Sequence, residues 1–173
     1  MKAPPTILLD GEFVLEPWKP EDAASHRALA EDAAAARFFG WTVEEARAQP
    51  DSRYLDVVRQ FHEGWIAGTR FSLAIRQRAT GEAVGAVEAR PVGDSVEVSY
   101  LVAAAFRGRG LAPRAVDGLL GWVTRELGAT KAVLVCDLSN IASQRVAKKC
   151  GFTPASRAGN EVRFTRSLAN SAC

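Results

Sequence analysis

Residues 106–112 read Phe-Arg-Gly-Arg-Gly-Leu-Ala and are the part of this sequence best suited to chemistry. They lie between a strand-like run at 96–102 and a helix-like run that begins at Pro113. In such a loop the glycines expose backbone N–H groups, and the following helix adds the positive end of its dipole. Arg107 and Arg109 add positive charge and forked donors. The segment therefore predicts an anion site suited to a phosphate or a pyrophosphate.

Two well-known phosphate motifs fit this loop poorly. A dinucleotide fingerprint needs a third glycine where helix and strand pack closely, and Pro113 occupies that place after Gly108 and Gly110. A P-loop needs a glycine followed by Lys and then Ser or Thr, and the sequence has no such run. The residue pattern of the loop therefore favours another kind of phosphate site.

Residues 107–112 resemble the Q/R-x-x-G-x-G/A motif of the GCN5-related N-acetyltransferases (GNAT), in which this loop binds the pyrophosphate of acetyl-CoA. A second match is Asn-Ile-Ala-Ser at 140–143, followed by Lys-Cys-Gly-Phe at 149–152. It resembles the next family motif, an Asn that opens a helix ending in Gly-Phe. Residues 12–22 resemble the family's opening strand and helix start. The resemblance covers nearly the whole chain and implies an acetyl-CoA-dependent N-acetyltransferase.

Within this family the chain looks most similar to the ribosomal-protein N-terminal (RimJ/RimL-like) branch. Ser-Tyr-Leu-Val at 99–102 resembles that branch's "GYwl" strand, and Asn140 with Ser143 matches its N-x-x-S spelling. Many small-molecule acetyltransferases share these features. The acceptor therefore stays open between a protein N-terminal amine and a small-molecule amine.

The resemblance also implies where the cofactor lies. The pantetheine arm would enter the gap between the strand that ends at Val102 and the strand at 131–137, and backbone groups of Leu101 and Val102 would polarise the thioester oxygen. Besides these two, the implied cofactor-binding residues are Arg107, Gly108, Arg109, Gly110, Leu111, Ala112 and Asn140. An alternative role for Asn140 is that of a simple helix N-cap.

Glu97 is the candidate general base for the acceptor ammonium. It lies on a strand whose neighbours Val96 and Val98 point to the other face, and a carboxylate near the acetyl carbon takes the proton directly or through water. The alternative is an ordinary solvated or salt-bridged strand glutamate. Glu88, on the neighbouring strand, is a weaker candidate for the same role.

The group that protonates the departing thiolate is harder to find. Many family members carry a tyrosine in the helix after Asn140, and here that place is taken by Ala147. By resemblance to the ribosomal-protein branch, Ser143 hydrogen-bonds the CoA sulfur, although a helix cap is the competing explanation. Strand alternation places Tyr100 on the face opposite Glu97, which predicts a core residue.

The acceptor side is expected to come from the early helices and their loops. Residues 38–41, Phe-Phe-Gly-Trp, are predicted to form a loop that lines an acceptor cleft or fills the core. The three other tryptophans are predicted to be core or interface residues, namely Trp18, Trp65 and Trp122. The two histidines are His26 and His62; they lack metal-ligand spacing, so no metal is expected.

Composition limits the remaining possibilities. The length of 173 residues predicts one domain, residues 1–173, and 47% hydrophobic residues suffice for a core. A net charge of +2 argues against a general nucleic-acid binder, and no apolar run approaches the roughly 20 residues of a membrane span. The apolar run at 7–9 is too short for a signal peptide, which predicts a cytoplasmic protein. The resemblance adds the expectation of a homodimer.

The pattern of elements predicts a mixed α/β fold, with a mostly antiparallel central sheet and helices on both faces. Strands are predicted at 12–16, 71–76, 83–89, 95–102, 131–137, 152–156 and 161–167, and helices at 20–30, 42–49, 51–67, 113–127 and 139–149.

The predicted reaction is direct attack of an amine on the thioester, without a covalent intermediate. None of the three cysteines lies in a loop beside a basic partner, and Cys136 and Cys150 are predicted to be small buried residues. The alternative is a non-catalytic domain that binds or senses acyl-CoA, which the missing tyrosine leaves open.

Overall fold

The structure is a computed structural model, and it describes residues 3–168. Its elements follow the predicted order, with two additions near the N-terminus. The strands are β1 (Ile7–Leu8), β2 (Phe13–Glu16), β3 (Phe71–Gln77), β4 (Ala83–Val92), β5 (Ser95–Val102), β6 (Lys131–Asp137), β7 (Thr153–Ala158) and β8 (Glu161–Ser167). The helices are α1 (Ala23–Ala30), α2 (Ala33–Phe39), α3 (Val43–Ala48), α4 (Asp51–Ala67), α5 (Leu111–Leu127) and α6 (Ile141–Lys149).

The described strands form one eight-stranded sheet in the order β1-β2-β3-β4-β5-β6-β8-β7. β5 and β6 are parallel and joined through α5, whereas all the other neighbours are antiparallel. This arrangement confirms the predicted mixed α/β fold with a mostly antiparallel sheet. The single parallel pair at the centre is where the candidate site lies.

Two layers of helices cover the sheet. On one face, residues of α1 and α4 pack against Ala74 and Ala83, with Trp18 in the middle of that cluster. On the other face, α5 packs on Leu73, Val87 and the strands beside them. The tryptophans are buried, as predicted; Trp18, Trp65 and Trp122 are each no more than 6% exposed.

Helix α2 corrects the prediction of a loop around residues 38–41. Asp32 accepts hydrogen bonds from the backbone N–H groups of Ala34 and Ala35 at 3.1 and 3.0 Å, which caps the helix. Four consecutive alanines then favour helix, and Gly40 ends it with a left-handed φ of 87°. The capping residue and the alanines were visible in the sequence, but the aromatic pair after them was interpreted as a loop.

Helix α5 begins two residues before the predicted start at Pro113. Gly110 takes a left-handed conformation before Leu111, and Pro113 stands in the first turn. Backbone N–H groups in the first turn have no partner within the helix, so a proline costs nothing there. The helix dipole therefore begins inside the glycine loop itself.

Cys150 is buried and its thiol donates to the carbonyl of Pro113 at 3.6 Å, in agreement with the predicted packing role. Cys173 lies outside the described residues. Within residues 3–168 no helix has both the length and the apolarity needed to cross a membrane. The same part of the chain contains no group of three or more potential metal ligands among its His, Cys, Asp and Glu side chains.

Candidate active site

A cavity of about 570 Å³ opens where the parallel strands β5 and β6 separate. The two strands pair only at Val96 with Ala132 and at Glu97 with Val133, and both strands line the cavity beyond that point. The glycine loop, the first turns of α5 and α6, and helix α2 close its other sides. Most predicted cofactor residues line it, namely Leu101, Val102, Arg107, Gly108, Gly110, Leu111, Ala112 and Asn140, together with Ser143.

The glycine loop has the backbone shape that its sequence requires. Gly108 and Gly110 have φ values of 78° and 71°, a region that residues with a side chain rarely adopt. A Cβ atom added at either glycine would meet no atom within 4 Å, so the glycines are there for backbone conformation and an open approach. The loop leaves room for a ligand against its backbone.

Arg107 is held by the protein itself. Its Nε donates to the carbonyl of Val102 at 2.9 Å, and its Nη2 lies 2.5 Å from a carboxylate oxygen of Asp32. Burial of Asp32 opposes ionisation, but the hydrogen bonds from Arg107 and from the cap of α2 outweigh it and lower the pKa of Asp32. Arg107 thus ties the end of β5 to the start of α2.

Arg109 points elsewhere. It is outside the residues that line the cavity, and its guanidinium lies 5.4 Å from the centre of the Phe106 ring, as in a cation–π contact. The side chain is exposed at the rim of the loop. The two arginines of the motif therefore differ, because one is engaged within the fold and the other is available to solvent.

The first turn of α6 brings Asn140 and Ser143 to the cavity. The side-chain oxygen of Asn140 accepts the N–H of Ser143 at 3.0 Å, so Asn140 is an N-cap as well as a lining residue. Ala147, where many family members have a tyrosine, is fully buried in the core. This part of the site offers the hydroxyl of Ser143 and no phenol of its own.

The place of Tyr100 in the site was not predicted from the sequence. Its ring packs against the core as predicted, but its hydroxyl reaches the cavity and donates to Ser143 Oγ at 3.0 Å. Burial raises the pKa of Tyr100 to about 12, partly opposed by the hydrogen bond to Ser143. The sequence held one indication of this role. Strand alternation places Tyr100 on the same face of β5 as Val98, and α6 packs against the end of that face.

Glu97 and Glu88 lie on the sheet face of Ser99 and Leu101, opposite Tyr100, but neither is among the residues that line the cavity. Glu88 faces Ser99 across the strands, and its carboxylate lies 2.6 Å from Arg70 Nε and 3.3 Å from Arg90 Nε. Glu97 makes a looser contact, 3.6 Å to Arg90 Nη2, and its side chain is 32% exposed. Because Ser99 lines the cavity and lies two residues beyond Glu97, about 7 Å of strand separates Glu97 from it.

Helix α2 forms the opposite wall of the cavity. Phe38 and Phe39 line it, and Arg37 of the same helix reaches Ser139, in the β6–α6 loop, at 3.4 Å. Trp41 stacks on Phe39 at 5.5 Å and donates to the carbonyl of Ala30 at 2.9 Å. The aromatic segment therefore serves both the cavity wall and the packing of α2 on α1.

The sequence profile described as "Acetyltransferase (GNAT) domain" matches residues 12–153. The chain belongs to this family. The predicted family, and with it the prediction of an acetyltransferase domain, is therefore confirmed. In this GNAT protein the cavity between β5 and β6 is the candidate place for the cofactor.

The individual proteins that resemble this chain share only part of its sequence. The chain is 35% identical over 105 residues to an L-2,4-diaminobutyric acid acetyltransferase from Streptomyces avermitilis, an alignment that spans 58% of this chain and 59% of that relative. Among solved structures, RimL, a ribosomal-protein alpha-N-acetyltransferase in complex with coenzyme A, has a TM-score of 0.82 at 17% identity, covering 94% of this chain and 98% of that one. A ribosomal-protein alanine acetyltransferase from Vibrio fischeri has a TM-score of 0.83 at 13% identity, covering 95% and 97%. At such identities the structural likeness shows the fold.

Proposed function

We propose that this chain transfers the acetyl group of acetyl-CoA to a primary amine, by direct attack within a ternary complex. The observation that carries the proposal is the cavity, which joins the glycine loop, the gap between β5 and β6, and the start of α6 in one continuous space. An acetyl-CoA molecule needs these three parts together: an anion site, a channel for the pantetheine, and a polar group near the sulfur.

The pyrophosphate would bind the backbone of residues 108–112 at the N-terminus of α5. The exposed N–H groups and the helix dipole supply the attraction, and Arg109 adds a mobile positive charge. Arg107 would shape the loop, since Asp32 already occupies its guanidinium. The pantetheine would then follow the edge of β5, where Leu101 and Val102 lie beyond the last pair with β6.

Glu97 would take the ammonium proton of the acceptor through a water molecule. A water-mediated path is required because the carboxylate lies outside the cavity lining. Glu88 suits the role less well, because two guanidinium groups engage its carboxylate and it is only 6% exposed. A covalent intermediate on Cys136 is disfavoured, since burial raises the pKa of that thiol.

Comparison of Glu97→Gln with Glu88→Gln tests this assignment. We expect Glu97→Gln to lower kcat/KM by about 10²-fold or more and to change the shape of the pH profile of kcat/KM, with the unfolding temperature unchanged. Glu88→Gln should instead lower thermal stability, because it leaves Arg70 and Arg90 without their common partner. An unchanged rate and pH profile for Glu97→Gln would eliminate it as the base.

The acceptor is proposed to be either a protein N-terminal amine or a small-molecule amine. The ribosomal-protein acetyltransferases of similar fold support the RimJ/RimL-like branch and the first option. The Streptomyces relative, named for an amino acid with a side-chain amine, supports the second. Incubation with acetyl-CoA and either peptides or an amine panel, followed by intact-mass analysis, decides between them.

We further propose that residues 1–173 form one domain that works in the cytoplasm as a homodimer. The continuous match over residues 12–153 supports one domain. Strand β7 lies at the edge of the sheet with every residue exposed, so its unpaired backbone groups suit a second copy of the chain. Analytical ultracentrifugation would detect the dimer, and a monomer at all concentrations would exclude it.

A further inference from the structure

The contact between Tyr100 and Ser143 joins strand β5 to helix α6 beside the cavity. Tyr100 lies near the end of β5, and Ser143 lies in the first turn of α6, 43 residues further along the chain. Their oxygens are 3.0 Å apart, and both residues line the cavity between the separated strands. The pair therefore stands beside the path proposed for the pantetheine arm and its sulfur.

The hydrogen-bond capacity of a serine gives this contact a direction. A hydroxyl has one proton to donate and two lone pairs with which to accept. The phenol of Tyr100 donates to Ser143 Oγ and so occupies one lone pair. The proton of the serine is then left to donate to another acceptor. The Cys136 sulfur lies within its reach but is a weak acceptor as a thiol, and the remaining direction is the cavity that both residues line.

We propose that Tyr100 is a positioning residue for the leaving thiolate, since its phenol holds Ser143 so that the serine O–H points at the CoA sulfur. This inference rests on the proposed acetyl transfer. The ammonium first loses one proton to the base through water, and the free amine then attacks, so that its bond to the acetyl carbon forms and the C–S bond breaks with its electron pair going to sulfur. The nitrogen loses its second proton to water as the amide forms, and water protonates the thiolate. Ser143 donates a hydrogen bond to the thiolate, and Tyr100 keeps its own proton throughout.

The surroundings of Tyr100 suit a permanent donor. Burial raises its pKa to about 12, so the phenol remains protonated over the neutral pH range. Phenylalanine at this position would keep the ring against the core and remove only the hydroxyl. The missing family tyrosine at Ala147 is thereby replaced in part by a phenol from the neighbouring strand, acting through Ser143.

Kinetics of Tyr100→Phe, Ser143→Ala and the double variant test the coupling. We expect Tyr100→Phe to lower kcat about three- to tenfold and Ser143→Ala to lower it about tenfold or more, with KM for acetyl-CoA within about twofold. The double variant should be no slower than Ser143→Ala alone, because Tyr100 acts through Ser143. A Tyr100→Phe variant with wild-type kcat would overturn the proposal. The proposal would also fail if Tyr100→Phe lowered kcat by the same factor in the wild type and in the Ser143→Ala variant.

The second tyrosine of the chain supplies a matched control. Tyr54 is buried, whereas Tyr100 is partly buried, and the Tyr54 hydroxyl donates to the carbonyl of Ala46 at 2.6 Å, away from the cavity lining. Tyr54→Phe should therefore lose some thermal stability and keep kcat within about twofold. If Tyr54→Phe slows turnover as much as Tyr100→Phe does, loss of packing explains both and the positioning role is wrong.

Binding measurements separate this inference from the proposed reaction. Calorimetry with CoA and with desulfo-CoA, which lacks the sulfur, needs no acceptor amine. The wild type should prefer CoA by about three- to tenfold, and this preference should fall toward one in both Tyr100→Phe and Ser143→Ala. If no amine is acetylated but the preference for CoA falls in both variants, the proposed acetyl transfer is wrong and the proposed orientation of the Ser143 hydroxyl is still supported. An unchanged preference in Tyr100→Phe overturns the placement itself.

Discussion

Gly85 is the residue whose substitution tests most directly how the end of β5 is held. It lies on β4 opposite Val102, where the two backbones approach closely. A Cβ atom built on Gly85 would lie 2.5 Å from the carbonyl oxygen of Leu101 and 2.9 Å from Ile75 Cδ1. Since real contacts of this kind begin near 3.0 Å, Gly85→Ala must move Leu101 by at least 0.5 Å (3.0 minus 2.5).

That displacement has two expected consequences. Overpacking of a buried site costs about 1–3 kcal/mol of the free energy of unfolding, which corresponds to a fall in Tm of about 2–12 °C in a protein of this size. Leu101 also carries the backbone proposed to polarise the thioester. Because a misplacement of 1 Å costs about 10²-fold in rate, a shift of half that size should lower kcat by about tenfold.

Gly11→Ala is the matched control. A methyl group added at Gly11 would meet no atom within 4 Å, and this glycine has no left-handed φ, so alanine fits there without strain. We expect it to be neutral or slightly stabilising. Thermal unfolding and steady-state rates of both variants, measured side by side, provide the comparison. A Gly85→Ala enzyme that matches Gly11→Ala in both Tm and kcat would refute the reasoning.

Three further outcomes follow from the structure. Gly110→Trp should abolish acetyl-CoA binding in calorimetry. Gly128→Trp, at the other end of α5 with a similar left-handed φ, should have the same backbone strain and still bind acetyl-CoA. If the two variants bind acetyl-CoA equally well, the glycine loop is not the phosphate site. Burial, assisted by Arg70, lowers the pKa of His26 to about 4. As pH falls, the unfolded state therefore takes up a proton before the folded state does, and the free energy of unfolding decreases by up to about 3 kcal/mol between about pH 6.5 and 4. In denaturant titrations at several pH values, His26→Phe should make the free energy of unfolding depend less on pH over this range. Gly121→Ala, in the middle of α5, should raise stability by about 0.5–1 kcal/mol in urea unfolding, because only the flexible end of Arg125 is near; a loss of stability would contradict this.

Much of the fold was predictable because it depends on local patterns. Strand alternation, the helical period and the glycine stops predicted most strands and helices to within a few residues, and they indicated the mixed sheet. The N-cap at Asn140 was likewise predictable from residue type and position. The prediction was wrong at α2, where an aromatic pair was interpreted as a loop despite the capping Asp32 before it.

The candidate site was predictable only in part. The glycine loop and the Asn140–Ser143 motif are each short and continuous, so their residue types and spacing suffice to predict that both belong to one site, and in the structure both line the same cavity. Glu97 was expected near the acetyl carbon from its strand alone, yet strand alternation gives a face and no distance. In the structure it lies outside the cavity lining, and its role stays a proposal.

Three features depend on the tertiary structure. They are the contact of Tyr100 with Ser143, the tie between Arg107 and Asp32, and the separation of β5 from β6 after two residue pairs. The first two join residues 43 and 75 positions apart. Local sequence establishes which residues share a helix turn or a strand face. How closely two such faces approach depends on the packing of the whole core, so the hydroxyl contact that completes the cavity could be seen only after the chain was folded.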